Sequence, residues 1–260
     1  MDIDYHKIID FRVASGKRLA TRAGNIVDIG ITKVHLTEED LAIERGLQNI
    51  IASFGTNHIL YAEEEHDLFQ NSDNLWVVDP ISGTSGFIKG APNSYSIVIS
   101  HLVNHMTVFA AVYNPTADEL FTAFAGKGAF LNNRPIKVSQ AHSKVILRPS
   151  IAWKRPEVIE KVANLLSGYM VENNWNSIAV EYCAVACGRV DGIATFTKDA
   201  FPEFAGGFII QEAGGKFTNI EGATNINPSD RVFVGGNPEF YDELFTLIKT
   251  GSNLKKILWN

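Results

Sequence analysis

Residues 75–90, with the sequence LWVVDPISGTSGFIKG, constrain the fold more than any other segment of this chain. The apolar run 75–78 is too short for a helix, so we predict that it forms a buried strand. Pro80 lacks a backbone donor, so the strand is expected to end there. This arrangement places the carboxylate of Asp79 at the end of a strand.

The residues after Pro80 have the composition of a helix start. Ser82 or Thr84 is predicted as the N-cap, with the backbone N–H groups of Gly83 and Thr84 pointing outward. Such groups attract phosphate, which Asp79 would repel unless a cation lay between them. The segment therefore predicts a divalent metal that bridges carboxylate and phosphate. A capped turn after a core strand explains the same residues equally well.

A second short apolar run, at 58–61, is also followed by acidic residues. We interpret Glu65, and with it Glu64, as part of a solvated loop. Glu63 is nearest the strand and could meet Asp79 if the two strands are neighbours. Carboxylate oxygens are the ligands that Mg²⁺ prefers, and the Ile81 carbonyl could be a further ligand.

Several motifs resemble, in order and spacing, those of the inositol monophosphatase family. Ala62-Glu63-Glu64 resembles the family's G/S-E-E, and residues 79–84 resemble its D-P-[LI]-D-G-T. The other matches are Thr37-Glu-Glu-Asp40 with T-x-x-D, residues 126–132 with G-x-G-A-F-x-N, residues 188–191 with G-R-x-D and residues 212–215 with E-A-G-G. The resemblance covers nearly the whole chain. It implies a mixed α/β fold, the layered αβαβα sugar-phosphatase sandwich of two subdomains.

The resemblance also implies a function, the Mg²⁺-dependent hydrolysis of a phosphate monoester of a small metabolite by a metal-activated water. Mn²⁺ could replace Mg²⁺. The substrate would be a sugar, inositol or nucleotide phosphate.

Roles for individual residues follow from the same resemblance. Glu63, Asp79 and the Ile81 carbonyl would hold the first metal, and Thr84 with Glu63 would orient the attacking water. Asp40 would lie near that water without binding the metal. The phosphate-binding residues would be Ser82, Gly83 and Thr84.

The chain departs from the family pattern at two metal positions. Ser82 stands where the family has an aspartate, and a neutral hydroxyl cannot replace a carboxylate as a strong Mg²⁺ ligand. Glu203 stands where the family's W-D-x-A-[AG]-G has its aspartate. The resemblance thus implies a weakened second metal site, held by Asp79 and Glu203. It leaves open an alternative, a catalytically inactive relative that still binds a phosphorylated metabolite.

The segment before Glu203 also departs from the family. Residues 192–202 contain no clear equivalent of the glutamate that grips inositol hydroxyls in the animal enzymes, so inositol phosphate is a doubtful substrate. We interpret Lys198 and Asp199, in the same segment, as an exposed loop pair.

The composition is that of a globular enzyme. Of the 260 residues, 45% are hydrophobic and 20% charged, which is enough for one large core or two modest cores. A net charge of −6 argues against nucleic-acid binding through a basic surface. We find neither a signal peptide nor a membrane span in the sequence, and we expect a cytoplasmic protein without a membrane partner. The family resemblance implies a homodimer.

Periodicity and turn residues predict a helical start, a β-rich middle and an alternating second half. The predicted helices cover 3–21, 37–54, 155–167, 177–187, 203–213 and a last segment from Glu239. Besides 58–61 and 75–78, the predicted strands cover 94–102, 106–113, 119–125, 144–148, 168–172, 192–197 and 231–235. We place a soft boundary near residue 145. Residues 1–145 would carry the metal and phosphate loops, and residues 146–260 would supply Glu203 from the other side of the site.

Overall fold

A computed structural model describes residues 3–31, 33, 35–66, 68–70, 72–148, 160, 164, 166–172 and 177–251. Within these residues the helices are α1 Tyr5–Arg22, α2 Glu38–Ala52, α3 Thr84–Ile88, α4 Ile178–Ala186, α5 Phe201–Glu212 and α6 Pro238–Gly251. The strands are β1 Ile59–Ala62, β2 Asn74–Ser82, β3 Ser96–Val103, β4 Met106–Asn114, β5 Glu119–Phe124, β6 Gly128–Leu131, β7 Arg134–Ile136, β8 Lys144–Arg148, β9 Met170–Val171, β10 Gly192–Phe196, β11 Lys216–Asn219 and β12 Val232–Gly236.

The strands form two mixed sheets. The first sheet has the order β1-β2-β3-β4-β5-β6-β7, in which β1 and β2 run parallel and all other neighbours run antiparallel. The second has the order β11-β12-β10-β8-β9, with β8 parallel to both β9 and β10. The parallel pair β1 and β2 positions the candidate site, because both strands run toward the same edge of the sheet.

Alternating side chains on the strands bury both faces of each sheet. In β2, Trp76 and Val78 pack with α1 and α2, whereas Leu75 and Val77 belong to a core with α4 and α5. That second core also includes Phe233 of the other sheet, so α4 and α5 lie between the two sheets. Helix α6 packs on the far face of the second sheet. The layers therefore follow the predicted αβαβα order.

Helix α2 begins where the sequence predicts. Thr37 is its N-cap and forms a capping box with Asp40, whose carboxylate accepts from the Thr37 backbone N–H. Such reciprocal bonds satisfy backbone donors that the first turn would otherwise leave free. The cap also fixes the position of the Asp40 side chain.

Most predicted elements are confirmed within a few residues, and the prediction for residues 144–148 has the bounds of β8. The predicted end of the strand at Pro80 is wrong. β2 continues to Ser82, with its register to β3 shifted between Asp79 and Ser82. Proline is tolerated in a strand at such an irregularity, since no ladder hydrogen bond is required of it there.

Three short strands, β6, β7 and β11, were not predicted, because segments of three or four residues carry little periodicity. The predicted helix at 155–167 lies mostly outside the described residues. No helix in the described part of the chain combines the length and apolar character needed to cross a bilayer. The boundary near residue 145 stays a prediction.

Candidate active site

The two acidic strand ends predicted to meet do lie side by side. β1 pairs with β2 in parallel, with Ala62 opposite Val78, so Glu63, which follows the end of β1, and Asp79, which lies within β2, come next on the two neighbouring strands. Both line one pocket between the sheets. The residues lining it are Lys33, His35, Glu63, Asp79, Ile81, Ser82, Gly83, Thr84, Ser85, Arg148, Ile178, Thr197, Lys198, Asp199, Pro202 and Glu203. All the site residues predicted from the sequence are in this group except Asp40, which contacts Thr84 from behind.

The turn after β2 depends on a glycine. The N-cap of α3 is Gly83, with φ at +92°, and neither Ser82 nor Thr84 takes that role as we predicted. A Cβ at Gly83 would lie 2.1 Å from the Ser94 carbonyl oxygen. Only glycine therefore fits here, because both the backbone angle and the available space exclude a side chain.

Thr84 connects this turn to Asp40. Its hydroxyl lies 2.8 Å from the Ile81 carbonyl oxygen and 3.2 Å from Asp40 Oδ1. Burial raises the pKa of Asp40 to about 6, even though hydrogen bonds from Thr37 and Thr84 favour the charged form. Ile81 and the half-buried Thr84 therefore line the pocket, and the buried Asp40 supports Thr84 from behind.

Asp79 lies in a position that suits the binding of a cation. It is 4% exposed, and among the described residues no donor reaches its Oδ1 atom. Burial raises the pKa of Asp79 well above its ordinary value, and the negative charges of Glu63 and Asp199 add to this effect. A buried carboxylate oxygen without a partner is costly unless a ligand or ion satisfies it.

Glu63 is neutralised by lysines. Lys33 Nζ lies 3.1 Å from Glu63 Oε1 and 2.8 Å from Glu64 Oε2, and Lys198 Nζ lies 3.7 Å from Glu63 Oε1. The expectation of a solvated Glu64 is wrong, because its side chain is 3% exposed and burial raises its pKa to about 7. Glu65 is more exposed and pairs with Arg45. Only the last of the three glutamates therefore has the solvated position we expected.

Glu203 reaches the pocket from the first turn of α5, where it is fully buried. Its Oε1 accepts a hydrogen bond of 2.8 Å from the Tyr182 hydroxyl, whereas Oε2 has no donor within the described chain. Burial, followed by the charge of Asp199, raises the pKa of Glu203 well above its ordinary value. Helix α5 can approach Tyr182 because of Gly206, where a Cβ would lie 2.3 Å from the tyrosine ring.

Ser82 belongs to a chain of buried hydroxyls. Its Oγ lies 3.4 Å from Ser177 Oγ, which in turn lies 2.9 Å from Ser96 Oγ. This position therefore contributes neutral hydrogen bonding in place of the negative charge that an aspartate would supply.

The pocket lining also includes residues that we did not predict as site residues, among them Lys33, Arg148, Thr197 and Asp199. Arg148 forms an ion pair of 2.9 Å with the buried Glu181. The prediction of an exposed pair holds for Lys198, which is 74% exposed, but not for the partly buried Asp199. No motif marks these residues, since they come close only when both sheets are assembled.

The donors suit a hard divalent cation. Glu63, Asp79 and Glu203 supply carboxylate oxygens, Ile81 supplies a carbonyl, and unpartnered buried oxygens are present on two of them. In this conformation, no three acidic, histidine or cysteine side chains among the described residues gather closely enough to hold a metal. Lys33 and Lys198 instead occupy the oxygens of Glu63. Metal binding would therefore require Glu63 to exchange an ammonium group for the ion.

This architecture matches known structures of one class of enzyme. The inositol monophosphatase (IMPase) of Thermotoga maritima superposes with a TM-score of 0.81 at 26% identity, covering 96% of this chain and 97% of that one. Residues 13–252 match the model of the inositol monophosphatase family. The chain belongs to this family.

Two relatives of similar sequence have different functional names. Nus factor SuhB of Pasteurella multocida is 30% identical over 251 residues, which cover 89% of this chain and 93% of the relative. Inositol monophosphatase 1 of Solanum lycopersicum is 32% identical over 235 residues, which cover 82% of this chain and 86% of the relative. The similarity thus spans nearly the full length of each protein.

Proposed function

We propose that this protein is a Mg²⁺-dependent phosphatase that hydrolyses a phosphate monoester of a small metabolite. The observation that carries the proposal is the pairing of β1 with β2. It brings Glu63 and Asp79 together beside the Gly83 turn, with a buried oxygen of Asp79 that lacks a donor in the described chain. Carboxylates beside a turn of backbone N–H groups suit a cation shared with a phosphate.

In this proposal Glu63, Asp79 and the Ile81 carbonyl hold Mg²⁺, and Mn²⁺ can replace it. When bound, the ion neutralises charge on the phosphoryl group and lowers the pKa of a water molecule. Glu63, together with Thr84, would orient that water for attack. The two lysines beside Glu63 leave its oxygens when the site is loaded.

Asp40 supports Thr84 in its role of orienting the water. The Thr84 hydroxyl donates toward the Ile81 carbonyl or Asp40, which leaves its lone pairs free to accept from the water. Asp40 keeps this hydroxyl in place, because the capping box of α2 fixes the carboxylate. A nucleophile held in one orientation reacts faster because little rotational freedom remains to be lost.

Ser82, Gly83 and Thr84 form the phosphate-binding turn in this proposal. The backbone N–H groups of Gly83 and Thr84 supply donors, and all three residues line the pocket. The pocket is also lined by a half-exposed His35 and the exposed Lys198. These groups could contact the remainder of a sugar, inositol or nucleotide phosphate.

A second candidate function is binding without turnover. It is favoured by Ser82, whose hydroxyl interacts with Ser177 and leaves this position without a carboxylate. The relative named as a Nus factor also shows that names in this family extend beyond phosphatase activity. In this alternative the pocket binds a phosphorylated metabolite that is not hydrolysed.

The decisive experiment measures phosphate release from a panel of sugar, inositol and nucleotide monophosphates and bisphosphates. Each is tested with Mg²⁺, with Mn²⁺ and with a chelator. We expect metal-dependent turnover of at least one substrate and its loss in Glu63→Ala. Asp73→Asn, which removes an exposed carboxylate outside the pocket, serves as the matched control and should retain activity.

No release from any substrate by folded protein would reject the phosphatase. Stabilisation by a phosphorylated ligand under those conditions would then support the binding function. From the family alone, we also propose a homodimer, which sedimentation analysis would test.

A further inference from the structure

The pocket contains a carboxylate that belongs to none of the family-like motifs. Asp199 lies in the loop between β10 and α5, together with Thr197 and Lys198. Asp199 lines the pocket together with Asp79 and Glu203, the two carboxylates that carry buried oxygens without a hydrogen-bond partner in the described chain. The loop therefore adds an acidic group to the site from the second sheet.

Independent of this acidic group, buried oxygens around the same space lack partners. In the described part of the chain, Thr197 Oγ1, Asp79 Oδ1 and Glu203 Oε2 have no hydrogen-bond donor or acceptor within reach. Their residues are 4%, 4% and 0% exposed, and all three line the pocket. Unsatisfied buried oxygens are rare in folded proteins and indicate an absent ion, ligand or water.

A cation already lies against Asp199. Lys198 Nζ is 3.7 Å from Asp199 Oδ2 and 3.7 Å from Glu63 Oε1, so the two carboxylates flank the position of one positive charge. The Lys198 side chain is 74% exposed. An exposed ion pair of this length contributes little to stability, so the ammonium can be displaced into solvent at small cost.

The number of negative charges in the pocket also depends on Asp199. Ser82 is neutral and interacts with another buried serine, so it adds no negative charge at the end of β2. With Asp199 included, the pocket is lined by four carboxylates, those of Glu63, Asp79, Asp199 and Glu203. The chain thus supplies from a loop the charge that position 82 lacks.

We propose that Asp199 is a ligand of a second divalent cation, bound together with Asp79 and Glu203, with the Thr197 hydroxyl oxygen at its edge. The ion would draw these carboxylates closer together than they lie in this conformation, in which no three acidic side chains of the described residues meet closely enough to hold a metal. This inference rests on the proposed function, because it places the second ion in the same pocket. It assigns the β10–α5 loop as the element that compensates for Ser82.

The test measures Mn²⁺ binding directly, from the electron paramagnetic resonance signal of free Mn²⁺ titrated with metal-free protein. We expect two ions per wild-type chain. Asp199→Asn should weaken the second ion by about tenfold or more, because affinity follows the charge of the ligand set. Asp73→Asn makes the same chemical change at an exposed position outside the pocket and should match the wild type.

Thr197→Val provides a second test that does not depend on the stability of Asp199→Asn. It removes the hydroxyl with little change in volume and should weaken the second ion severalfold. If folded Asp199→Asn binds both ions as tightly as the wild type does, the inference is wrong and the proposed function is unaffected. If the wild type binds no Mn²⁺, both proposals fail.

Discussion

Two aspartates of the family-like motifs, Asp191 and Asp79, have opposite surroundings. Asp191 accepts hydrogen bonds from the Ser139 hydroxyl at 2.6 Å and from the backbone N–H groups of Ser143 and Lys144 at 2.9 and 2.8 Å. Burial acts to raise the pKa of Asp191, but these bonds outweigh it and lower the pKa below its ordinary value. Asp79 is buried against other acids, and its pKa is raised.

The difference separates carboxylates that stabilise the fold from the one that we propose to bind an ion. Asp191 has its hydrogen-bond partners within the chain. It lies between α4 and β10 and connects this segment to the start of β8. Glu212 acts in the same way, accepting from the backbone N–H groups of Gly126 and Gly128. Asp79 has an oxygen without a donor in the described residues, so it is available to an ion. Hydrogen-bond partners therefore distinguish motif residues that the sequence presents as equivalent.

Among the substitutions that test this comparison, Asp79→Asn is expected to have the largest effect on activity. It removes a negative charge from the proposed metal site, and losing several kcal/mol of charge stabilisation corresponds to a drop of about 10³-fold in kcat/KM. The metal-free variant should be at least as stable as the wild type, since one of several repelling carboxylates is gone. Activity assays and urea unfolding of the same samples measure both effects. A variant that is active but unstable would reverse the assignment.

Asp191→Ala should show the opposite profile. It leaves two backbone N–H groups and a serine hydroxyl without their acceptor, so we expect the free energy of unfolding to fall by about 2–4 kcal/mol. Because Asp191 does not line the pocket, kcat and KM of the folded fraction should stay close to those of the wild type. Urea denaturation measures the loss of stability, and steady-state kinetics at low temperature measure kcat and KM of the folded protein. Normal stability with impaired catalysis would contradict the comparison.

The smallest expected effect concerns pH. The pKa of Asp40 rises from 3.8 to about 6 on folding, so the folded protein holds a proton that the unfolded chain releases. Stability from this proton is present below about pH 4 and is lost as the pH rises through 6. The raised pKa of Asp79 acts with the same sign, whereas Asp191, whose pKa is lowered, loses its contribution on acidification.

Mg²⁺ should therefore raise Tm more at pH 8, where the pocket acids are charged, than at pH 5. The expected difference is about 3 °C. Scanning calorimetry with Mg²⁺ and with chelator at both pH values measures it, and Asp191→Ala should retain it. Equal shifts at both pH values would show that the pocket carboxylates do not take up protons as inferred.

The sequence predicts those parts of the fold and site that depend on local pattern. The strand before Asp79, the cap at Thr37 and the layer order follow from apolar runs, turn residues and the family resemblance. The course of β2 through Pro80 could not be predicted, because it depends on an irregular register with β3. The positions of Lys33 and Asp199 depend on loops that meet only after both sheets form. Local sequence patterns carry no information about contacts between loops that are distant in the sequence.

Helix α5 lies between the two sheets, and residues 201–210 are all buried. The same helix is therefore the centre of the core and the carrier of Glu203. One buried oxygen of Glu203 has no hydrogen-bond partner in the described chain, which costs stability, so a well-packed apolar residue at this position is expected to stabilise the protein. Under the proposed function, in which Glu203 holds an ion, selection for activity would keep the acid there. In directed evolution for heat resistance, position 203 is one where improvement in stability would erode function.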